Sequence, residues 1–233
     1  GVYARSAKSI TLSPQARAVI GIDAEELTPV ELLKAILQAP VDLLYNGGIG
    51  TYVKATFETH AQVGDKSSDA FRVNGADLRC KVLAEGGNLG CTQNGRIEFA
   101  QKGGRIYTDA IDNSAGVDCS DHEVNIKILL GSVVEAGDLT LKQRNDLLAS
   151  MTDEVGHLVL ADNYYQTQAL DIGMLKPLYV LDGQQRLMQW LEGSGRLNRA
   201  IEFLPTDEEI ARRKARKAGL TAPEGAVVLA YAK

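Results

Sequence analysis

Apolar and polar positions follow two different patterns along this chain, and the change falls near residue 120. Upstream, the apolar residues come in short runs bordered by Pro and Gly. Residues 41–45 (VDLLY) lie between Pro40 and Gly47, residues 79–84 (RCKVLA) lead into Gly86-Gly87, and residues 105–108 (RIYT) follow Gly103-Gly104. Such runs predict buried strands. Helix-forming segments lie between them, notably residues 92–101. Strands and helices alternating at this spacing predict parallel strands joined by crossover helices. Three strands are too few for a complete doubly wound sheet, so part of one is expected.

Helix starts are marked in the same region. Ser13 before Pro14 sets a cap and a first helical proline, predicting a helix to about Ile20. Thr28-Pro29 with Glu31 repeats the signal with capping-box spacing, and Pro40 stops that helix. Beyond residue 117 the chain is expected to be all-helical. Ser120-x-x-Glu123 reads as a capping box ahead of Val124, Ile126, Ile128, Leu129, Val133 and Val134. Thr140 is expected to cap a helix running through Leu160. Further helices are predicted over 184–192, over 207–217 and from Thr221 onward, with the loosest connection where Gly and Pro fall between 172 and 183. The expected division is therefore 1–117 and 118–233. The chain opens on GVYARSAKSI and closes on AVVLAYAK, and both ends read as cuts in a longer polypeptide.

Composition narrows the class. With 233 residues, 45% of them hydrophobic and 24% charged, the chain has the make-up of an ordinary globular protein with ample core. A net charge of −5 argues against a general nucleic-acid binder, which carries a basic stripe. No apolar run reaches the roughly 20 residues of a membrane span. Three cysteines without paired spacing suggest reduced thiols and a cytoplasmic setting.

Candidate chemistry gathers after the strands. Residues 47–53 (GGIGTYV) resemble the start of a phosphate-binding loop, but Val53 stands where the third glycine belongs, so a sharp strand-to-helix turn is the preferred reading. Residues 85–88 (EGGN) follow a strand, where glycines let a ligand approach the backbone. An ordinary turn explains them equally well. Residues 109–120 (DAIDNSAGVDCS) lead from a strand into a helix whose free N–H groups attract carboxylates and phosphates. Against that reading, Ser120 can serve simply as the cap. Cys119-x-x-His122 has half the spacing of a zinc site and no second pair, so no metal is expected. Cys80 and Cys91 read as buried thiols, His60, His122 and His157 as isolated, and residues 212–217 (RRKARK) as a solvated helix face.

Two of these segments carry a resemblance. Residues 81–88 (KVLAEGGN) and 113–120 (NSAGVDCS) resemble the glutamate dehydrogenase family, with a strand ending in Glu-Gly-Ala-Asn and a later Asn-Ala-Gly-Gly-Val-x-x-Ser. Here Gly87 replaces the Ala, and Ser114-Ala115 replaces Ala-Gly. DLLYNGGIGTYVKA, GRIEFA, TDAIDNSAGVDCSDHEVNIKILL, DNYYQTQAL and IEFLPTDEEIA resemble the very large bacterial NAD-specific members, with a weaker match between about 170 and 200.

That resemblance implies a fold and a set of roles. It implies an α/β architecture: the carboxyl half of a Rossmann-like NAD-binding domain over 1–117, then a helical region over 118–233. Asn88 and Asn113 would contact the nicotinamide-ribose end of NAD, and Gly86, Gly87 and Gly116 would let the backbone approach it. Ser120 would hydrogen-bond the side-chain carboxylate of L-glutamate. The family's catalytic lysine and aspartate and its phosphate loop would lie upstream, so Lys54, Lys81 and Lys127 are not assigned to their roles and no catalytic residue is expected here. The complete enzyme would convert L-glutamate to 2-oxoglutarate and ammonia, as a homo-oligomer in the cytoplasm. A regulatory or assembly module of the same enzyme, or another amino-acid dehydrogenase, are the alternatives.

Overall fold

The computed structural model describes residues 2–232. Its elements are, in order, β1 (Ile10–Thr11), α1 (Pro14–Ile20), β2 (Glu26–Leu27), α2 (Pro29–Leu37), β3 (Leu43–Asn46), β4 (Val53–Lys54), α3 (His60–Val63), β5 (Val73–Asn74), β6 (Val82–Glu85), α4 (Gln93–Gln101), α5 (Asp109–Asp112), α6 (Val117–Glu135), α7 (Leu141–Ser150), α8 (Thr152–Leu175), α9 (Pro177–Gly193), α10 (Asp207–Ala215) and α11 (Ala222–Ala232). The described residues are thus mixed α/β, with many helices and small parallel sheets. They cluster into two compact units, Gly1–Asp109 with Leu170–Lys233, and Ala110–Ala169.

In the first unit the proline-led helices form as their caps dictate. The Ser13 hydroxyl accepts the Ala16 N–H at the start of α1, and Thr28 and Glu31 complete a reciprocal capping box at α2. Strands β3 and β6 pair in parallel, from Leu43 opposite Val82 to Asn46 opposite Glu85. On the other side of β6, Val82 bridges Arg105 in parallel, and the Leu83 N–H donates to the Arg105 carbonyl at 3.0 Å. All three segments predicted as parallel strands therefore run parallel. The last contributes one bridge rather than a strand, because the chain enters α5 only a few residues later, at Asp109.

The glycine loop after β3 departs from expectation. It leads into β4, not a helix, because Val53 pairs with Val73 of β5 on one side and bridges Cys91 on the other. Val53 and Lys54 are both buried as a result. Val53, Val73, Cys80, Leu83, Cys91, Phe99 and Ile106 form the core beneath the parallel pairs. Burying each large apolar side chain there contributes roughly 1.5–3 kcal/mol.

A second core of the same unit lies among α9, α10 and α11. It is built from Leu181, Met188, Leu191, Leu197, Leu204, Ile210 and Val228. The basic run over 212–217 is not purely a solvated face. Arg213 is buried and grips Glu224 of α11 at 2.6 and 2.8 Å. α9 begins at Pro177, well before the expected residue 184, and only Lys176 separates it from α8. Proline at the first helical position supports a start there, since its missing N–H would be unpaired anyway.

In the second unit the expected capping box at Ser120 is absent. α6 starts at Val117, its cap is Gly116 without a side-chain hydrogen bond, and Ser120 sits inside the helix. The carbonyls of Asn113 and Ser114 already accept the N–H groups of Val117 and Asp118 at 2.8 and 3.0 Å, which starts the helix early. Glu123 is drawn instead to Lys127, one turn along. Thr140 does form a capping box, with Gln143, but the helix it opens is broken near Met151 into α7 and α8.

Candidate functional site

The carboxyl end of β6 is held by a buried ionic cluster. Glu85, the last residue of the strand, is 0% exposed. Arg96 reaches it from α4 with two parallel contacts, Nε to Oε2 at 2.7 Å and Nη2 to Oε1 at 2.9 Å. Nη2 also lies 3.1 Å from Asp109 Oδ1. Thr92 caps α4 by accepting the Gly95 N–H, which fixes the turn that carries Arg96. Burial opposes the Arg96 cation, but the Glu85 hydrogen bonds and the charges of Glu85 and Asp109 outweigh it and hold its pKa above the ordinary value.

The same cluster pins the loop that follows. The Cys91 N–H donates to Glu85 Oε1 at 2.8 Å, and the Leu89 N–H donates to Asp109 Oδ2 at 2.7 Å. The N–H groups of Gly86 and Gly87 both donate to the Asn46 carbonyl, at 2.8 and 3.1 Å. Burial and the nearby Glu85 charge push the Cys91 thiol well up, so it stays protonated and inert. Glu85, Arg96 and Asp109 escaped the sequence reading as a unit. The available signal was a charged residue closing an apolar strand with an arginine on the next helix.

Two glycines of this loop are needed for fit. A β-carbon on Gly86 would fall 1.9 Å from the Tyr45 hydroxyl, and one on Gly87 would fall 2.7 Å from the Gly48 carbonyl. The loops after β3 and β6 therefore pack backbone to backbone at the carboxyl ends of two parallel strands, the edge where open α/β sheets take ligands. Asn88 is exposed at its tip.

In the second unit, residues 113–116 form a turn between α5 and α6. The Asn113 carbonyl accepts the Gly116 N–H at 3.0 Å. A β-carbon on Gly116 would lie 2.6 Å from Asn113 Oδ1, so the glycine makes room for the Asn113 amide. Asn163 of α8 braces the turn, its amide donating to the Ile111 carbonyl at 2.8 Å and to Ser114 Oγ at 3.2 Å. Ser120 is exposed on the first turn of α6, with its hydroxyl not committed to a cap.

The expected residues thus fall into two sets, each described within its own unit: Gly86, Gly87 and Asn88 in the β6 loop, and Asn113, Gly116 and Ser120 at the α6 entry. The lysines left unassigned have structural partners. Lys54 is buried and donates to Asn74 Oδ1 at 2.6 Å, Lys81 pairs with Asp42 at 2.7 Å, and Lys127 pairs with Glu123. Cys80 and Cys91 are buried free thiols and Cys119 is a half-buried one.

Comparison with known proteins bears on the same residues. The family described as "Bacterial NAD-glutamate dehydrogenase, catalytic domain" matches residues 1–173. Curated relatives named NAD-specific glutamate dehydrogenase are 56% identical over 233 residues in Halomonas elongata and 57% identical over 233 residues in Pseudomonas aeruginosa. Each comparison covers 100% of this chain and 14% of the relative. A relative of the same name in Mycobacterium tuberculosis is 52% identical over 239 residues, covering 100% of this chain and 15% of its own length. The chain spans only about one-seventh of the length of these relatives.

Proposed function

The chain belongs to the bacterial NAD-glutamate dehydrogenase family, and from that premise we propose that it supplies part of the cofactor and substrate surface of a longer enzyme that oxidises L-glutamate to 2-oxoglutarate and ammonia. The observation that carries the proposal is the β6 end: a loop of small residues pinned by Glu85, Arg96 and Asp109, with Asn88 exposed at its tip. Glycine backbones there suit close approach of a dinucleotide. NAD, when bound, supplies the hydride acceptor for the substrate α-carbon.

The roles of this chain's residues follow. Residues 1–117 act as the carboxyl half of a Rossmann-like nucleotide domain, and 118–233 as a helical region. Gly86 and Gly87 offer backbone to the nicotinamide-ribose end, and Asn88 and Asn113 offer amides able both to donate and to accept. Gly116 keeps the Asn113 amide in place. Ser120, exposed on the first turn of α6 and uncommitted to a cap, donates its hydroxyl to the glutamate side-chain carboxylate. The catalytic lysine and aspartate come from outside this chain. The reduced thiols suit a cytoplasmic enzyme. Exposed Ile128, Leu129 and Leu160 favour self-association of the longer polypeptide, which sedimentation of that enzyme as a monomer would rule out.

Activity separates whole from part. The longer polypeptide is expected to reduce NAD when given L-glutamate, and the 233-residue chain alone to show no turnover above the buffer rate. Glutamate-dependent NADH formation by the short chain would place the catalytic groups within it and overturn the assignment.

A further inference from the structure

We propose that Asp118, His122 and Asp162 form a binding site for a divalent metal ion of the zinc class. Asp118 and His122 stand one turn apart on α6, where side chains at i and i+4 share a face, and Asp162 comes from α8. One ligand atom from each lies within 4.8 Å of the other two. His122 Nε2 is 3.5 Å from Asp162 Oδ2 and 3.8 Å from Asp118 Oδ1. That nitrogen is buried and has no hydrogen-bond partner among the described residues.

The spacing favours a shared cation over a direct ion pair. A charged N–H to carboxylate contact closes to about 2.7–2.9 Å, and both distances here exceed it. Ligand bonds of about 2.0–2.2 Å in tetrahedral array put neighbouring ligand atoms about 3.3–3.6 Å apart, close to what the imidazole and its two carboxylates show. A buried imidazole nitrogen aimed between two carboxylates is also the donor set that suits zinc, whereas magnesium and calcium prefer oxygen alone. Three protein ligands leave a fourth position open.

The site has a mechanical consequence. Asp162 precedes Asn163, which braces the 113–116 turn through Ile111 and Ser114. One turn of α8 would then both hold that turn and share a metal with α6, fixing the first turns of α6 where Ser120 lies. The sequence hides this arrangement. Its visible cue, Cys119-x-x-His122, points to a thiol that is not part of the cluster, and the second carboxylate is remote in sequence.

Calorimetric titration of the chelator-treated protein with zinc alone tests the proposal, with magnesium as the hard-cation control and cobalt as the spectroscopic probe. One zinc is expected to bind per chain and magnesium not to compete. Cobalt is expected to give a visible tetrahedral spectrum without a thiolate charge-transfer band. His122→Gln and Asp162→Asn are each expected to weaken zinc by on the order of 100-fold. Asp162 has a side chain 43% exposed, so its substitution leaves the fold intact and loss of binding cannot be ascribed to unfolding. Zinc binding unchanged in Asp162→Asn, no binding by the parent protein, or a thiolate band from Cys119 would each overturn the assignment.

Discussion

Replacing Arg96 with methionine is expected to cost about 3–5 kcal/mol of stability, because it strands a carboxylate that water cannot reach. Glu85 is 0% exposed, and the Arg96 guanidinium contacts its two oxygens at 2.7 and 2.9 Å. The methionine would fill much of the space but neutralise nothing. Urea unfolding followed by circular dichroism measures the loss. A companion double variant, Glu85→Gln with Arg96→Met, is expected to recover most of it. The glutamine carbonyl still accepts the Cys91 N–H, so that backbone donor keeps its partner and no buried charge remains at the position. Arg96→Lys is expected to fall between, since an ammonium keeps the charge but not the two-pronged fit. A loss below about 1 kcal/mol for Arg96→Met would mean that the cluster is hydrated and does not clamp the loop.

Gly87→Ala is expected to destabilise by about 1–3 kcal/mol, although alanine is what the resembled family pattern carries there. The added carbon would meet the Gly48 carbonyl at 2.7 Å, and that oxygen belongs to backbone, which cannot swing aside as a side chain can. The β3 loop would have to retreat from the β6 loop. In the longer enzyme the same substitution is expected to raise the KM for NAD while leaving that for L-glutamate near its original value. Gly86→Ala makes an informative contrast. Its obstacle is the hydroxyl of Tyr45, a 63% exposed side chain that can rotate away, so its stability cost is expected to be smaller. Equal costs at the two positions would show that the loops do not abut as described.

What was legible in the sequence was local. Pro40 and the paired glycines announced the parallel strands, and Ser13-Pro14 and Thr28-Pro29-x-Glu31 announced their helices, because caps and turn residues act over a few positions. Ser120-x-x-Glu123 carried an equally good local signal and misled. The backbone carbonyls of Asn113 and Ser114 had already opened the helix, and no side-chain pattern records that. The break expected between 172 and 183 falls at Lys176, ahead of Pro177, while Gly173 and Gly183 lie within α8 and α9. The Glu85, Arg96 and Asp109 cluster needed the fold itself, since its members sit on a strand, a helix and the start of another helix. The candidate site was legible as motifs, Gly86–Gly87–Asn88 and Asn113 to Ser120, while the contacts that hold each motif in place were not.

The correction at Ser120 turns an ambiguous residue into a clean probe. A serine that capped α6 would lose stability on truncation, but this one lies inside the helix and exposed, and Gly116 holds the cap position. Steady-state kinetics of Ser120→Ala in the longer enzyme, with its melting temperature measured alongside, is the most direct test. A hydrogen bond to a charged carboxylate contributes about 1.5–3 kcal/mol, so the KM for L-glutamate should rise roughly 10- to 150-fold, with the KM for NAD and the melting temperature nearly unchanged. A lowered melting temperature with the glutamate KM unmoved would contradict the account, leaving Ser120 a structural residue and the α6 entry no part of the substrate surface.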